Sequence, residues 1–225
     1  MRLHTMTVLS LSALAVLALE GCSIGSTSST GPSSAASKDA SVPAPLSSAQ
    51  LAKRLLDEGD LGEGYDRTPQ RPAAHDDVSV IGCPALEKLG ADAATGAGLD
   101  FSRKARASFA YVDGGDSEVS EELYSDSAAK LSKGIGQIFD AMVSCPTYQV
   151  ASGSTVIDMG TQVTDAPDLG DEQWSQLLTY SVGGQRSVVK QTAVRVGTVL
   201  VIVSGSTGLV DASLEKAVAK AQAAS

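Results

Sequence analysis

The sequence predicts an α+β domain, in which an antiparallel or mixed sheet with a three-stranded C-terminal meander packs against one long central helix and a C-terminal helix. The chain has 225 residues, of which 43% are hydrophobic and 19% charged, and this is enough apolar material for a sizeable core. Runs that alternate polar and apolar residues between glycine pairs indicate strands, and two runs with apolar residues every three or four positions indicate helices. No segment repeats at a fixed period.

The chain begins with a segment that has the composition of an export signal. Arg2 gives a short positive start, and the residues from Met6 to Leu19 are almost wholly apolar. This run is shorter than the roughly 20 apolar residues that a membrane-spanning helix needs. We therefore predict that residues 1–21 are a signal peptide that is removed on export.

The end of the apolar run, Leu19-Glu20-Gly21-Cys22, resembles the lipobox of bacterial lipoproteins. Leu19, Gly21 and Cys22 match that pattern, whereas Glu20 replaces the small or uncharged residue that is usual there. The resemblance implies lipidation of Cys22, and two or three acyl chains would anchor the protein stably at the extracytoplasmic face of the cell membrane. The alternative is an ordinary secretory signal followed by a chance cysteine.

Residues 22–46 differ in composition from both neighbouring segments, because Ser, Gly, Ala, Thr and Pro dominate them. Such a stretch has little apolar surface to bury, and we predict a flexible tether after the lipidated cysteine. As a random coil it would span about 25–30 Å from end to end. Residues 47–225 match the usual size of one domain, and we predict a single extracytoplasmic domain there.

The formal net charge is −9, from 26 acidic and 17 basic residues. Binding to a phosphate backbone needs clustered Lys and Arg, and binding to anionic lipid headgroups also needs cations. We therefore expect no nucleic-acid partner, and we expect the membrane contact to come from the lipid anchor alone.

Two short helices are predicted at the start of the domain. Ser47 and Gln50 have the spacing of a capping box, leucines follow, and Gly59 stands where a helix would end. After a loop, Cys83-Pro84 opens a second short helix, because proline suits the first turn.

The middle of the chain predicts a strand and then the longest helix. Arg103 to Val112 alternates polar and apolar residues, and Gly114-Gly115 ends this strand. From Ser120 the period becomes helical until Pro146 stops it. The apolar positions of this helix are Tyr124, Ala128, Leu131, Ile135, Ile138, Phe139 and Met142.

The last third of the chain predicts strands followed by one helix. The strands are Thr155 to Val163, Trp174 to Val182, Ser187 to Val196 and Val199 to Val203. Gly183-Gly184 and Gly197-Thr198 are tight-turn signals, so the last three strands should form an antiparallel meander. The final strand is apolar on both faces and should be central and covered. The terminal helix that can cover it has apolar residues at Val210, Leu214, Ala217, Val218 and Ala221.

Cys83 and Cys145 are the two cysteines of the predicted domain. An even pair in an exported domain is most simply a disulfide, and Cys145 should lie on the buried face of the long helix, three residues after Met142. The competing interpretations are a metal site and a nucleophile. Cysteines this far apart without neighbouring histidines are poor metal ligands, so we predict a structural disulfide and no metal.

Histidine chemistry has little support in the sequence. His4 leaves with the signal peptide, and His75 lies in a polar loop without a motif around any serine. A solvated loop histidine explains His75 better than a catalytic one. We therefore predict no catalytic residue.

Acidic residues form two groups that are candidates for calcium binding or for paired acids in sugar hydrolysis. They are Asp113, Asp116, Glu118, Glu121, Glu122 and Asp126, and then Asp165, Asp168, Asp171 and Glu172. Their spacing is not that of an EF-hand, and acids before a long helix favour its positive end. We therefore interpret them as solvated and helix-end charges. Trp174 and five tyrosines are too scattered to form an aromatic sugar platform.

Four short motifs span the predicted domain: Asp60-Leu61-Gly62-Glu63-Gly64-Tyr65, Cys83-Pro84-Ala85-Leu86, Val143-Ser144-Cys145-Pro146 and Val194-Arg195-Val196-Gly197. Together they resemble the PknH-like extracellular (sensor) domain family of actinobacterial lipoproteins and kinase ectodomains. The resemblance implies a mixed sheet flanked by helices, a surface cleft, disulfides and a sensing role without known chemistry. The chain departs from the family in having cysteines for one disulfide and Tyr65 where tryptophan is frequent, so no cleft residue is carried over.

Two functional hypotheses follow from the sequence. The first is a sensor-like domain without catalysis or cofactor that binds a small molecule or a cell-wall component. The alternative is an accessory module that contacts another envelope protein, and a carboxylate-dependent hydrolase comes third. A cleft with convergent polar groups would favour the first hypothesis, and an exposed apolar patch would favour the second.

Overall fold

The structure of the protein is a computed structural model that describes residues 43–69, 78–90, 93, 99, 101–113 and 117–223. The predicted signal peptide, Cys22 and the tether up to residue 42 lie outside the described residues, and so do His75 and Asp116. Among the helices of the described part, none is long and apolar enough to cross a membrane.

Nine strands of the described part form one open sheet, and every pair of neighbours is antiparallel. The strands are β1 Tyr65–Arg67, β2 Val78–Ile81, β3 Lys104–Tyr111, β4 Glu118–Ser125, β5 Thr147–Ser152, β6 Thr155–Val163, β7 Glu172–Val182, β8 Gln185–Val196 and β9 Val199–Gly205. Their order across the sheet is β1-β3-β4-β9-β8-β7-β6-β5-β2. The sheet is therefore antiparallel rather than mixed.

Five helices are present in the same part of the chain. They are α1 Ser48–Ala52, α2 Glu58–Leu61, α3 Pro84–Leu89, α4 Ala128–Val143 and α5 Thr207–Gln222. The capping box of Ser47 and Gln50 forms, since the Gln50 N–H donates to Ser47 Oγ at 3.3 Å and the Ser47 N–H donates to Gln50 Oε1 at 2.9 Å. The first helix is shorter than predicted, because it ends at Ala52 and Gly59 belongs to α2.

Alternation along the strands gives the sheet two faces, each with its own core. On one side, here named the α4 face, Leu131 of α4 packs in a cluster with Leu200 of β9. On the other side, named the α5 face, Val210 of α5 packs in a cluster with Val201 of β9. All four side chains are fully buried, and each such burial contributes about 1.5–3 kcal/mol. The strand β9 is thus central and covered on both sides.

The C-terminal strands agree with the predicted meander. Strand β7 pairs with β8 over its whole length, and β8 pairs with β9. Gly183-Gly184 makes the first turn with φ values of 58° and 82°, and a glycine adopts these positive angles without steric cost. Two-residue turns of this kind keep consecutive strands in register.

The long helix begins later than predicted, because residues 118–125 form strand β4. Leu123 and Tyr124 are adjacent and both buried, since this strand is covered on its two faces. A strand covered on both sides loses the simple alternation that identifies strands in sequence, and its apolar residues matched the helical period by coincidence. Helix α4 begins at Ala128, where the Lys130 N–H donates to Ser127 Oγ at 3.4 Å.

The helix also ends earlier than predicted, at Val143, and the chain then enters strand β5. Cys145 therefore lies beyond the helix rather than on its buried face. A disulfide joins it to Cys83, whose Cα is 5.7 Å away, and so connects the start of α3 to the end of α4. Cys83 is fully buried in the core of the α4 face.

Candidate functional site

Strand register places five polar side chains in one row across the sheet. Ser108 of β3 is opposite Ser120 of β4, and Ser120 is opposite Ser204 of β9. The row continues through Gln191 of β8 to Gln176 of β7. The residues next to each serine pack in the core of the α5 face, so the serines themselves point to the α4 face.

The serine end of this row forms part of the floor of a surface groove of about 690 Å³. The groove lies where β3, β4, β8 and β9 meet the start of α5, and Ser187, Ser206 and Thr207 add further hydroxyl groups to its wall. Helix α4 covers the same face of the sheet over β6, β8 and β9. The groove therefore has the size of a small-molecule site and a lining rich in groups that both donate and accept hydrogen bonds.

Two charged side chains and two buried apolar side chains complete the lining of the groove. Arg186 at the start of β8 and Glu118 at the start of β4 are both exposed, and they contribute opposite charges. Phe109 and Val119 lie beneath the surface and are almost fully buried, so they provide packing rather than an exposed aromatic platform. Val188 of β8 is exposed and also lines the groove, so the accessible lining is mixed polar and apolar, with charges that offset each other.

Gly205 allows the two strands at the floor to approach closely. A Cβ atom at this position would lie 2.1 Å from the carbonyl oxygen of Glu118, and φ is 153°, where other residues are strained. The next residue, Ser206, donates its N–H to the same carbonyl at 3.0 Å. This contact positions the start of α5 at the end of the groove.

The glutamine end of the row contacts helix α4. Gln176 Nε2 donates to Gln191 Oε1 at 2.9 Å, and the same nitrogen contacts Met142 Sδ of α4 at 3.4 Å. Gln176 is almost fully buried, and its Oε1 has no hydrogen-bond partner among the described residues. Polar contacts thus join the two glutamines at this end of the row to helix α4.

Two members of the second acidic group, Asp171 and Glu172, are bound by an arginine. Arg195 of β8 donates from Nε to Glu172 Oε2 and from Nη1 to Asp171 Oδ2, both at 2.9 Å. The hydrogen bond from Arg195 holds the pKa of Glu172 below its ordinary value. Asp171 Oδ2 also accepts the N–H of Gly197, at 2.7 Å. These carboxylates stabilise the turn between β8 and β9, and Asp165 and Asp168 are exposed nearby.

The first acidic group is not a set of helix-end charges, which corrects the interpretation from sequence. Glu118, Glu121 and Glu122 lie in strand β4, and only Asp126 is next to the start of α4. Asp126 Oδ2 pairs with Lys130 at 2.8 Å, and that hydrogen bond lowers the pKa of Asp126. Glu122 pairs with Arg106 and accepts the hydroxyl of Tyr124. Asp113 is exposed just after β3.

Glu121 is a buried carboxyl group that the sequence did not distinguish from its acidic neighbours. It is 0% exposed and points into the core of the α5 face, between Val119 and Leu123. Burial raises the pKa of Glu121 to about 7, and the hydrogen bond from the Leu56 N–H only partly opposes this. No sequence signal marks it, because a glutamate in an acidic stretch is normally solvated.

Metal binding has no support in the described part of the chain, which holds no group of three or more His, Cys, Asp and Glu side chains close enough to share an ion. Within the lining of the groove as described, Glu118 is the single carboxylate. The paired acids that sugar hydrolysis requires are therefore not brought together there.

Comparison with known proteins shows a likeness of fold. No protein-family model matches the sequence, and no curated protein matches it. The structure is similar to that of the extracellular domain of PknH from Mycobacterium tuberculosis, with a TM-score of 0.59 and 14% identity over 79% of this chain and 97% of that domain. An uncharacterized protein from Mycobacterium smegmatis, the Rv0999 ortholog, has a TM-score of 0.42 and 12% identity over 78% of this chain and 97% of its own. The first comparison supports the fold implied by the resemblance.

Proposed function

We propose that the protein is an extracytoplasmic, lipid-anchored binding domain that holds a small hydroxylated ligand in the groove and performs no chemistry on it. The observation that carries the proposal is the groove of about 690 Å³ with serines from three neighbouring strands on its floor. A volume of this size lies within the roughly 300–1,000 Å³ of typical small-molecule sites.

The ligand class follows from the groups that line the groove. Serine and threonine hydroxyls donate and accept hydrogen bonds, so they match sugar-like or other hydroxylated molecules in several orientations. Arg186 and Glu118 offer one positive and one negative contact, which disfavours a ligand with strong charge of one sign. A neutral molecule that carries several hydroxyl groups and some apolar surface is the best match to this lining.

A binding role without catalysis is supported by the positions of the titratable side chains. Asp171 and Glu172 are bound by Arg195, and Glu118 has no second carboxylate beside it in the described lining. A hydrolase that uses paired carboxylates needs both partners on the same cleft. The groove instead offers neutral hydrogen-bonding groups, which suit recognition.

The extracytoplasmic location and the lipid anchor are supported by two independent observations. The apolar start of the chain is followed by Leu19-Glu20-Gly21-Cys22, which resembles a lipobox. The fold is similar to that of an extracellular domain of a mycobacterial protein. In this proposal Cys22 is the membrane attachment, and the Ser- and Pro-rich stretch after it separates the domain from the bilayer.

The proposal is tested with the mature protein purified from membranes in mild detergent. Native mass spectrometry should detect a retained small molecule, and thermal unfolding in the presence of neutral sugars, amino sugars and short peptides should show a raised midpoint with the hydroxylated class. Ser204→Val, which removes a hydroxyl from the groove floor, should abolish the shift. Ser181→Val, on strand β7 outside the groove lining, is the matched control and should retain it.

Two results would contradict the proposal. One is a wild-type protein that retains no molecule and responds to none of the three classes. The other is a ligand-induced shift of equal size in Ser204→Val and in the control.

A protein-interaction module is the second candidate, and it has a specific observation in its favour. Ile81 of β2 and Val156 of β6 are each 48% exposed, and the strand register puts them on the same face of the sheet. Exposed apolar side chains on one sheet face are typical of surfaces that contact another protein. Crosslinking in the envelope that maps to these residues, together with failure of the ligand test, would favour this function.

A further inference from the structure

Glu121 is surrounded by apolar side chains within the sheet. Its strand neighbours across the sheet are Ala107 of β3 and Val203 of β9, and both are buried. Val119 and Leu123 flank it along β4 and are also buried. A carboxylate in such surroundings loses its hydration, so the neutral form is favoured unless a partner compensates the charge.

The carboxyl group holds the N-terminal arm, defined here as residues 46–61, through one hydrogen bond. The backbone N–H of Leu56 donates to Glu121 Oε2 at 2.6 Å, and Leu56 is itself fully buried. Glu121 Oε1 has no hydrogen-bond partner among the described residues. The Leu56 hydrogen bond therefore joins the arm to a carboxyl group whose second oxygen has no hydrogen-bond partner among the described residues.

Charged groups from three elements face Glu121, and both cations among them already bind other partners. They are Lys220 of α5, Asp60 of α2 and Arg67 of β1. Lys220 Nζ pairs with Asp57 at 2.9 Å and also with Asp60, while Arg67 Nη2 donates to the carbonyl of Leu56 at 3.0 Å. No described cation forms an ion pair with Glu121 itself.

Two further cations, Arg54 and Lys216, make contacts where the arm meets α5. Arg54, in the connection between α1 and α2, donates from Nη1 to the carbonyl of Ala221 at 2.7 Å. Lys216 of α5 lies 3.6 Å from Asp60. These contacts hold the arm to α5 at the surface and leave the buried carboxyl without a counter-ion.

We propose that Glu121 is a proton-dependent latch for the N-terminal arm, which stays docked while the carboxyl is neutral and loosens when it ionises. The direction of this pH dependence follows from the difference between the pKa of Glu121 in the docked form and in the undocked form. Burial raises the pKa of the docked form to about 7 from an ordinary value of 4.5, so the docked form keeps its proton in a pH range where a solvated glutamate has lost it. Docking is therefore most stable at acidic pH and loses stability as pH rises from about 4.5 through about 7.

The measurement is amide hydrogen exchange of the arm in the full mature chain, with rates corrected for the intrinsic effect of pH. The protection of the Leu56 amide should fall at least about tenfold between pH 5 and pH 8 in the wild type. Glu121→Gln cannot ionise and should show no such fall. Glu215→Gln, the same substitution at an exposed position of α5, should behave like the wild type.

An unchanged protection factor from pH 5 to pH 8, or an equal fall in Glu121→Gln, would overturn the proposal. Glu121→Gln changes a buried side chain, so the carboxyl carbon of Glu121 is also titrated by NMR in the wild type, where folding is undisturbed. A titration midpoint near 7 supports the latch, and a midpoint near 4.5 rejects it. Neither experiment involves the groove, so this inference fails or stands independently of the proposed ligand.

Discussion

At the residue scale, Gly205 combines a backbone conformation and a close contact that both require the absence of a side chain. An added methyl group would overlap the carbonyl oxygen of Glu118, and the positive φ would be strained. We therefore expect Gly205→Ala to lower the free energy of unfolding by about 2 kcal/mol or more. Chemical denaturation followed by circular dichroism would measure the change.

The matched control is Gly136→Ala in helix α4, where an added Cβ meets no atom within 4 Å. Alanine is favoured over glycine in helices by about 1 kcal/mol, so this variant should be as stable as the wild type or more so. If Gly205→Ala and Gly136→Ala lowered the free energy of unfolding equally, the close approach of Gly205 to the carbonyl oxygen of Glu118 would not explain the loss.

Residues whose role depends on local spacing were predictable, and those whose role depends on strand register were not. Ser47 and Gln50 form the capping box that their spacing predicts, because both partners lie within one turn. Ser108, Ser120 and Ser204 form one row only after β3, β4 and β9 are paired in register. The groove floor was therefore invisible in the sequence, as was the burial of Glu121.

At the element scale, the disulfide of Cys83 and Cys145 connects the start of α3 to the end of α4 across 62 residues. Replacing both cysteines by alanine should lower the free energy of unfolding by about 2–4 kcal/mol, because the unfolded chain loses a crosslink that restricts it. Denaturation of the double variant, compared with wild type in the presence of reductant, would measure this. The double variant and the reduced wild type should have similar free energies of unfolding. Free thiols in the oxidised native protein, or a double variant as stable as the oxidised wild type, would contradict the assignment.

The C-terminal strands and the terminal helix were predicted, whereas strand β4 and the two short edge strands were not. The meander of β7, β8 and β9 and the terminal helix follow from turn signals and a helical stripe of apolar residues. Strand β4 was assigned to the helix because buried residues occur on both of its faces. The edge strands β1 and β2 have three and four residues, too few for a recognisable alternation.

At the scale of the whole molecule, the proposed lipid anchor at Cys22 would determine where the domain works. We predict that radiolabelled palmitate enters the wild-type protein and not Cys22→Ala, because the thiol of Cys22 is the acceptor. Gel electrophoresis and autoradiography of membrane fractions would show whether the labelled palmitate is incorporated. Cys83→Ala is the control for loss of a cysteine elsewhere and should still be labelled. Equal labelling of wild type and Cys22→Ala would reject the lipoprotein assignment.

The fold class was predictable at this scale, whereas the order of the strands was not. Composition and periodicity indicate an α+β chain with antiparallel pairing near the C-terminus. Strands β1 and β2 follow one another in sequence but lie at opposite edges of the sheet. Which strands pair over long sequence distances depends on the packing of both faces, which a single sequence does not display.

The pairing of β4 with β9 also constrains how the protein acquires its structure as it emerges from the ribosome or from an export channel. The hairpin of β3 and β4 appears early, yet the inner edge of β4 pairs with residues 199–205, more than 70 positions later in the sequence. Long-range pairing of this kind slows folding and leaves an open strand edge exposed to association with other chains. Strands β3 and β4 therefore lack this neighbour until residues 199–205 have followed them, and the exposed edge of β4 is the place where premature association with another chain would begin.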